Sequence, residues 1–128
     1  MVNTQQTAVL EVKNLSVALV ATGNDTISEI DFTLQAGEVL GLVGESGSGK
    51  TTLSSALLGY TRHGAKIISG QVILNGQDIL KLSDQQIRQI RGHRVAHVAQ
   101  DPGTALNPAL KIGQQFDELL DVHRPEQT

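Results

Sequence analysis

Residues 44–51 read Gly44-Glu45-Ser46-Gly47-Ser48-Gly49-Lys50-Thr51, an octet whose two fixed glycines, lysine and hydroxyl stand at the spacing of a phosphate-binding P-loop. The glycines let the main chain wrap closely around phosphate oxygens. The amides at the start of the following helix point at that anion with a favourable dipole. Lys50 is placed to reach the β- and γ-phosphates and the Thr51 hydroxyl to ligate a bridging magnesium, while Thr52 adds a candidate phosphate contact. The expected ligand is ATP with magnesium, held by Gly44, Glu45, Ser46, Gly47, Ser48, Gly49, Lys50, Thr51 and Thr52. A glycine-rich turn capping an ordinary helix is the competing reading. The context favours the P-loop, because the octet lies between an expected buried strand and an expected helix.

Working outward, Glu38 to Val43 is a short apolar run expected to form a buried strand of a parallel sheet, and Thr51 to Leu58 a helix stopped by Gly59. Upstream, Leu10 and Val12, then Leu15, Val17 and Leu19, alternate with polar or small residues, as do Ile30, Phe32 and Leu34. With Gly23, Asn24 and Asp25 between them, these runs predict an antiparallel hairpin. Downstream, Gln71 to Leu74 and Asp78 to Leu82 read as strands meeting at an Asn75-Gly76 turn. Ser83 and Gln86 have capping-box spacing ahead of a short helix carrying Ile87 and Ile90, and Val95 to Ala99 is a further expected strand. Pro102 and Pro108 bound a loop, after which Ile112, Phe116, Leu119 and Leu120 recur at helical spacing. That stripe is expected to pack internally.

Composition narrows the function. A net charge of -3, with no dense Lys/Arg run, excludes a general pull toward nucleic acid. The absence of cysteine excludes disulfides and thiolate metal sites. Met1 to Thr7 lacks the basic start and apolar stretch of a signal peptide, and no apolar run approaches the roughly 20 residues of a membrane-spanning helix. His63, His93, His97 and His123 share no metal-ligand spacing, so solvated or packing roles are expected. Arg88, Arg91 and Arg94 cluster at a short helix end, where the dipole favours positive charge.

Taken together, these residues resemble the nucleotide-binding subunits of ATP-binding cassette (ABC) transporters, in particular the oligopeptide, dipeptide and nickel importer branch. The resemblance rests on Leu10-Glu11-Val12-Lys13-Asn14-Leu15, Gly37-Glu38, the octet with Thr52, and Ile68-Ser69-Gly70 leading into Ile73-Leu74-Asn75-Gly76 and Asp78-Ile79. It extends to Gln100-Asp101-Pro102 with Leu106-Asn107-Pro108, which is similar to the Q-loop of that branch. The implied fold is an α/β P-loop NTPase with an N-terminal antiparallel β hairpin, incomplete over residues 1–128. Its parts are an antiparallel β part at 8–36, a P-loop core part at 37–100, and the start of a helical subdomain at 101–128.

The resemblance also implies roles and partners. Gln100 would approach the magnesium and the attacking water, sharing the metal with Thr51. The partners would be membrane-spanning transporter subunits and a second ATP-binding subunit, with the chain peripheral on the cytoplasmic face of the inner membrane. The complete family member would couple ATP hydrolysis to import of peptides or similar small solutes.

Two departures accompany the likeness. The stretch that usually offers an aromatic ring to adenine is here Val17-Ala18-Leu19-Val20. The Leu-Ser-Gly-Gly-Gln type signature, the Walker B Asp-Glu pair and the switch histidine do not occur in the 128 residues. Ser69-Gly70-Gln71 mimics a scrap of the signature but reads as a turn. Efficient ATP hydrolysis by this chain alone is therefore not expected, and in the family's fold the strand before the P-loop would be left with unpaired edges. The alternative function is a non-catalytic nucleotide-binding remnant or regulatory module. A soluble P-loop ATPase acting on DNA or translation fits less well, given the Gln100-to-Pro108 segment and the absence of a basic face.

Overall fold

A computed structural model of the chain describes residues 8–45, 47 and 49–123; the expectation for Met1 to Thr7 lies outside these. The chain divides into two compact units, one up to Ser83 and one from Asp84 onward.

The first unit is built on a four-stranded antiparallel sheet ordered β2-β1-β3-β4, from β1 (Ala8–Leu19), β2 (Asp25–Gln35), β3 (Ala65–Leu74) and β4 (Gln77–Asp78). The expected first hairpin is present. Its reversal is closed by the Leu19 amide on the Asn24 carbonyl at 2.9 Å, and Gly23 adopts a φ of 72°. Central β1 supplies the fully buried Leu15 and Val17 and the nearly buried Val12, which meet Val72 of β3 in the core.

The apolar alternation in β1 slips by one residue between Val12 and Leu15, which in a regular strand would send Leu15 to the opposite face. A β-bulge absorbs the slip. Asn14 and Leu15 together oppose Gly70, with Asn14 in the left-handed region at a φ of 49° and its amide bound to Asp31 Oδ1 at 2.9 Å. Gly70, at a φ of 105°, permits this approach: a methyl group there would lie 2.5 Å from Leu15 Cα. Ser69-Gly70-Gln71 is thus part of β3, facing the bulge in β1, and not the expected turn, because the chain continues pairing with β1 on both sides of it.

Asn75-Gly76 makes the expected tight turn, with both φ angles positive at 49° and 83° and Leu74 facing Gln77. The strand expected over Asp78 to Leu82 is corrected. It stops at Asp78, whose carboxylate accepts from the Leu80 amide at 3.1 Å and caps a 3-10 helix over Ile79–Lys81. Helix α1 (Lys50–Leu57) buries Leu53 and Ala56. It ends as expected at Gly59, where the Tyr60 amide bonds Ser55 O at 3.2 Å and the Gly59 amide bonds Ala56 O at 2.9 Å, a Schellman closure.

The largest correction falls on Glu38 to Val43, which is an exposed segment without regular secondary structure and not a buried strand: Val39 is 97% and Val43 93% exposed. The residues are apolar enough for a strand interior, but β structure requires a lateral partner for its amides and carbonyls. No strand pairs with it among the described residues.

In the second unit, α2 (Asp84–Ile90) starts immediately after Ser83 and buries Ile87 and Ile90. The expected strand Val95 to Ala99 reduces to a single bridge between Val95 and Arg91, and Val98 is exposed; it too lacks a partner strand among the described residues. Pro102 begins a short helix, α3 (Pro102–Ala105), and does not simply bound a loop, because Asp101 Oδ1 accepts from the Gly103 amide at 3.1 Å. The last helix is α4 (Ile112–His123), as its periodicity predicts. Its Gln115 side chain grips the preceding loop: Oε1 accepts from the Asn107 amide at 3.0 Å, and Nε2 donates to the carbonyls of Asn107 and Leu110 at 3.1 and 3.2 Å. The stripe of Ile112, Phe116, Leu119 and Leu120 is exposed, contrary to the expected internal packing, because few residues of this unit are available to cover it. No helix among the described residues is long and apolar enough to cross a membrane.

Candidate nucleotide-binding site

Gly49 forms the N-cap of α1 in the left-handed conformation, at φ 99° and ψ 4°, which a residue with a side chain rarely adopts. The first helical bond runs from the Leu53 amide to the Gly49 carbonyl at 2.9 Å. The amides of Lys50, Thr51 and Thr52 therefore precede the helical ladder and have no intrahelical acceptor. No acidic residue occupies this first turn, so the positive end of the helix dipole is left uncompensated. Three amides and a dipole converge where an anion is favoured.

The half-buried Lys50 sends its ammonium back to the carbonyl of Gly44, closing the loop across its mouth. Gly47 is also left-handed, at a φ of 84°, and Gly44 and Glu45 are exposed. Ser46 and Ser48 lie outside the described residues. Thr51 is exposed and Thr52 half-buried on the first turn of α1. The donor set fits magnesium only in company with phosphate oxygens: among the described residues no group of three or more His, Cys, Asp or Glu side chains could hold a metal by itself.

Beneath the loop, β2 makes a close contact that the sequence pattern did not reveal. A methyl group built on Gly49 would lie 2.6 Å from Ile27 Cγ2 and 3.2 Å from the Thr26 carbonyl. A cleft of about 130 Å³ adjoins this contact, lined by Ile27, Ile30, Leu42, Val43, Gly49, Lys50 and Leu53. The alternation of Ile30, Phe32 and Leu34 is out of phase with Ile27, three residues before Ile30, so no pattern in the sequence marked this contact.

The remaining candidates are placed as follows. Gln100 is exposed in the second unit, directly before the Asp101 cap, so the first unit alone contains the phosphate loop. Of the stretch Val17-Ala18-Leu19-Val20, the first two residues are buried, while Leu19 and Val20 are exposed at the hairpin tip. Arg88 stands in the last turn of α2, as the dipole reading predicts.

Residues 27–127 match the family model described as ABC transporter. The oligopeptide transport ATP-binding protein OppD of Lactococcus lactis subsp. cremoris (strain SK11) is 43% identical over 117 residues, covering 90% of this chain and 35% of that protein. OppD of Escherichia coli (strain K12) is 38% identical over 122 residues, covering 94% of this chain and 36% of its own length. A putative peptide import ATP-binding protein of Brucella abortus (strain 2308) is 44% identical over 116 residues, with 89% and 35% covered. The chain thus spans little more than a third of the length of the curated relatives it matches.

Proposed function

The chain belongs to the ABC transporter family, and we propose that it is the phosphate-binding part of the ATP-binding subunit of an importer for peptides or similar small solutes. The observation that supports this reading is the left-handed Gly49 at the head of α1 with Lys50 reaching back to the Gly44 carbonyl. A triphosphate entering the loop offers Lys50 a better partner than a neutral carbonyl, since its oxygens carry charge opposite to that of the ammonium. The ammonium then exchanges one acceptor for the other without leaving the loop.

The amides of Lys50, Thr51 and Thr52 hold the phosphate oxygens, and the Thr51 hydroxyl takes one magnesium position. Magnesium, when bound, neutralises charge on the β- and γ-phosphates. Gln100 is assigned to the metal and attacking water. The relatives' names as import ATP-binding proteins support membrane-spanning subunits and a second ATP-binding subunit as partners, and a peripheral place on the cytoplasmic face of the membrane. Glu45 is the sole carboxylate within the octet and is exposed, so these residues suit holding ATP better than cleaving it.

Calorimetry with magnesium-ATP on the 128-residue chain and its Lys50→Ala variant tests the reading, with hydrolysis followed in parallel. Binding by the wild type that the variant loses, with turnover near background in both, is the expected result. Equal binding by both, or none by a folded wild type, overturns it.

A further inference from the structure

The exposed segment entering the phosphate loop gives it little lateral support. Val39 and Val43 are almost fully exposed, Leu40 and Leu42 about half exposed, and Gly44 and Glu45 are exposed as well. A loop whose amides must aim at one anion needs a fixed point, because ligand groups held even slightly out of place lose much of their effect. The fixed point is on the helix side, where β2 meets Gly49.

Three observations build this contact. Ile27 is 8% exposed and pairs across the sheet with the fully buried Val17 of β1. Between that pair and the next, Leu15 with Ile30, β2 carries one extra residue, and Glu29 is left-handed at a φ of 49°. The buried Ser16 hydroxyl accepts from the Glu29 amide at 2.8 Å and pins the register two residues from Ile27. Finally, Ile27 Cγ2 and the Thr26 carbonyl occupy the space a side chain on Gly49 would need, at 2.6 and 3.2 Å.

We propose that Ile27 is a positioning residue for the phosphate loop: its γ2 methyl, held by the sheet through the Ser16–Glu29 bond, sets the place of Gly49 and so the aim of the α1 amides. This rests on the nucleotide-binding reading only for its consequence in affinity. The contact is specific to a branched β-carbon. Valine keeps Cγ2 and loses only the terminal methyl, whereas leucine keeps the volume of isoleucine but has no Cγ2.

The test compares wild type, Ile27→Val and Ile27→Leu in the whole 128-residue chain. It reads the amide resonances of Gly49 and Thr51 without nucleotide, the dissociation constant for magnesium-ATP, and the urea midpoint. Ile27→Leu is expected to move the Gly49 and Thr51 resonances and to weaken magnesium-ATP binding about tenfold, while Ile27→Val stays within about twofold of wild type. A role in stability alone would instead make the two variants similar, since both are small changes to a packed core. The proposal is overturned if both variants leave the resonances unmoved, or if both weaken binding in proportion to lost stability. Should the wild type bind no magnesium-ATP while Ile27→Leu still moves the two resonances and Ile27→Val does not, the nucleotide reading fails and the positioning role stands.

Discussion

The ammonium of Lys50 and the carbonyl of Gly44, six residues apart, close the phosphate loop on itself. The bond joins the first residue of the octet to the first residue of α1. The interaction is exposed and its loss can be covered by water. Lys50→Met is therefore expected to change the stability of the chain by less than about 1 kcal/mol, while weakening magnesium-ATP binding by a factor of about 10 to 100. Urea unfolding and calorimetry on the same preparation check this; a stability loss matching the binding loss would refute the separation.

Two glycines with positive φ differ in what surrounds them. A methyl group at Gly70 would meet Leu15 Cα at 2.5 Å and the Asn14 carbonyl at 2.6 Å, whereas at Gly23 it would meet nothing within 4 Å. Gly23→Ala should cost only the left-handed backbone term, about 1 kcal/mol. Gly70→Ala adds steric overlap with a main chain that cannot give way and should cost about 3 kcal/mol or prevent folding. Equal urea midpoints for the two variants would contradict the bulge geometry.

Gln115 ties α4 to the loop before it through three hydrogen bonds, two of them to the main chain of Asn107. The site is largely exposed, so Gln115→Ala should cost about 1 kcal/mol or less of global stability. Its clear effect should be local. Hydrogen exchange at the Asn107 amide, whose acceptor is removed, should speed up about tenfold while exchange in β1 is unchanged.

The exposed segment before the loop predicts tolerance. Val39→Lys and Val43→Lys replace side chains that are 97% and 93% exposed, and each should change stability by less than about 0.5 kcal/mol. Both should also reduce self-association measured by light scattering, because an unpaired apolar segment is a template for pairing with another chain. A loss above about 2 kcal/mol in either variant would show that the segment is packed, as the sequence alone suggests.

That segment marks the limit of what could be read from sequence. The hairpin, the Asn75-Gly76 turn, the Gly59 stop and α4 were legible because each depends on residues near one another in the chain. Glu38 to Val43 and Val95 to Ala99 were misjudged for one reason: composition reports that a run can lie inside a sheet, and only a neighbouring strand decides whether it does. The β1 slip was visible as a change of phase between Val12 and Leu15, yet its partner Gly70 lies 55 residues further on and read as a turn. The octet from Gly44 to Thr51 was readable as a motif, since phosphate binding fixes both residue type and spacing, and magnesium-ATP calorimetry is what tests it. Ile27 was not legible, because its contact with Gly49 follows from the register of the hairpin and not from any motif.

The order of the strands bears on synthesis. All four strands of the first sheet lie before Ile79, and its central pairings join β1 to the next strand and to β3. At ribosomal rates of about 5 to 20 residues per second, the nascent chain has seconds to pair these strands as the remainder is made. Once β2 is in register, Gly49 and α1 have a surface to rest on, while Val39 to Val43 still waits in water. The head of α1 can thus take shape during translation while the apolar segment before it stays exposed, and that exposed segment is where a folding helper would be needed.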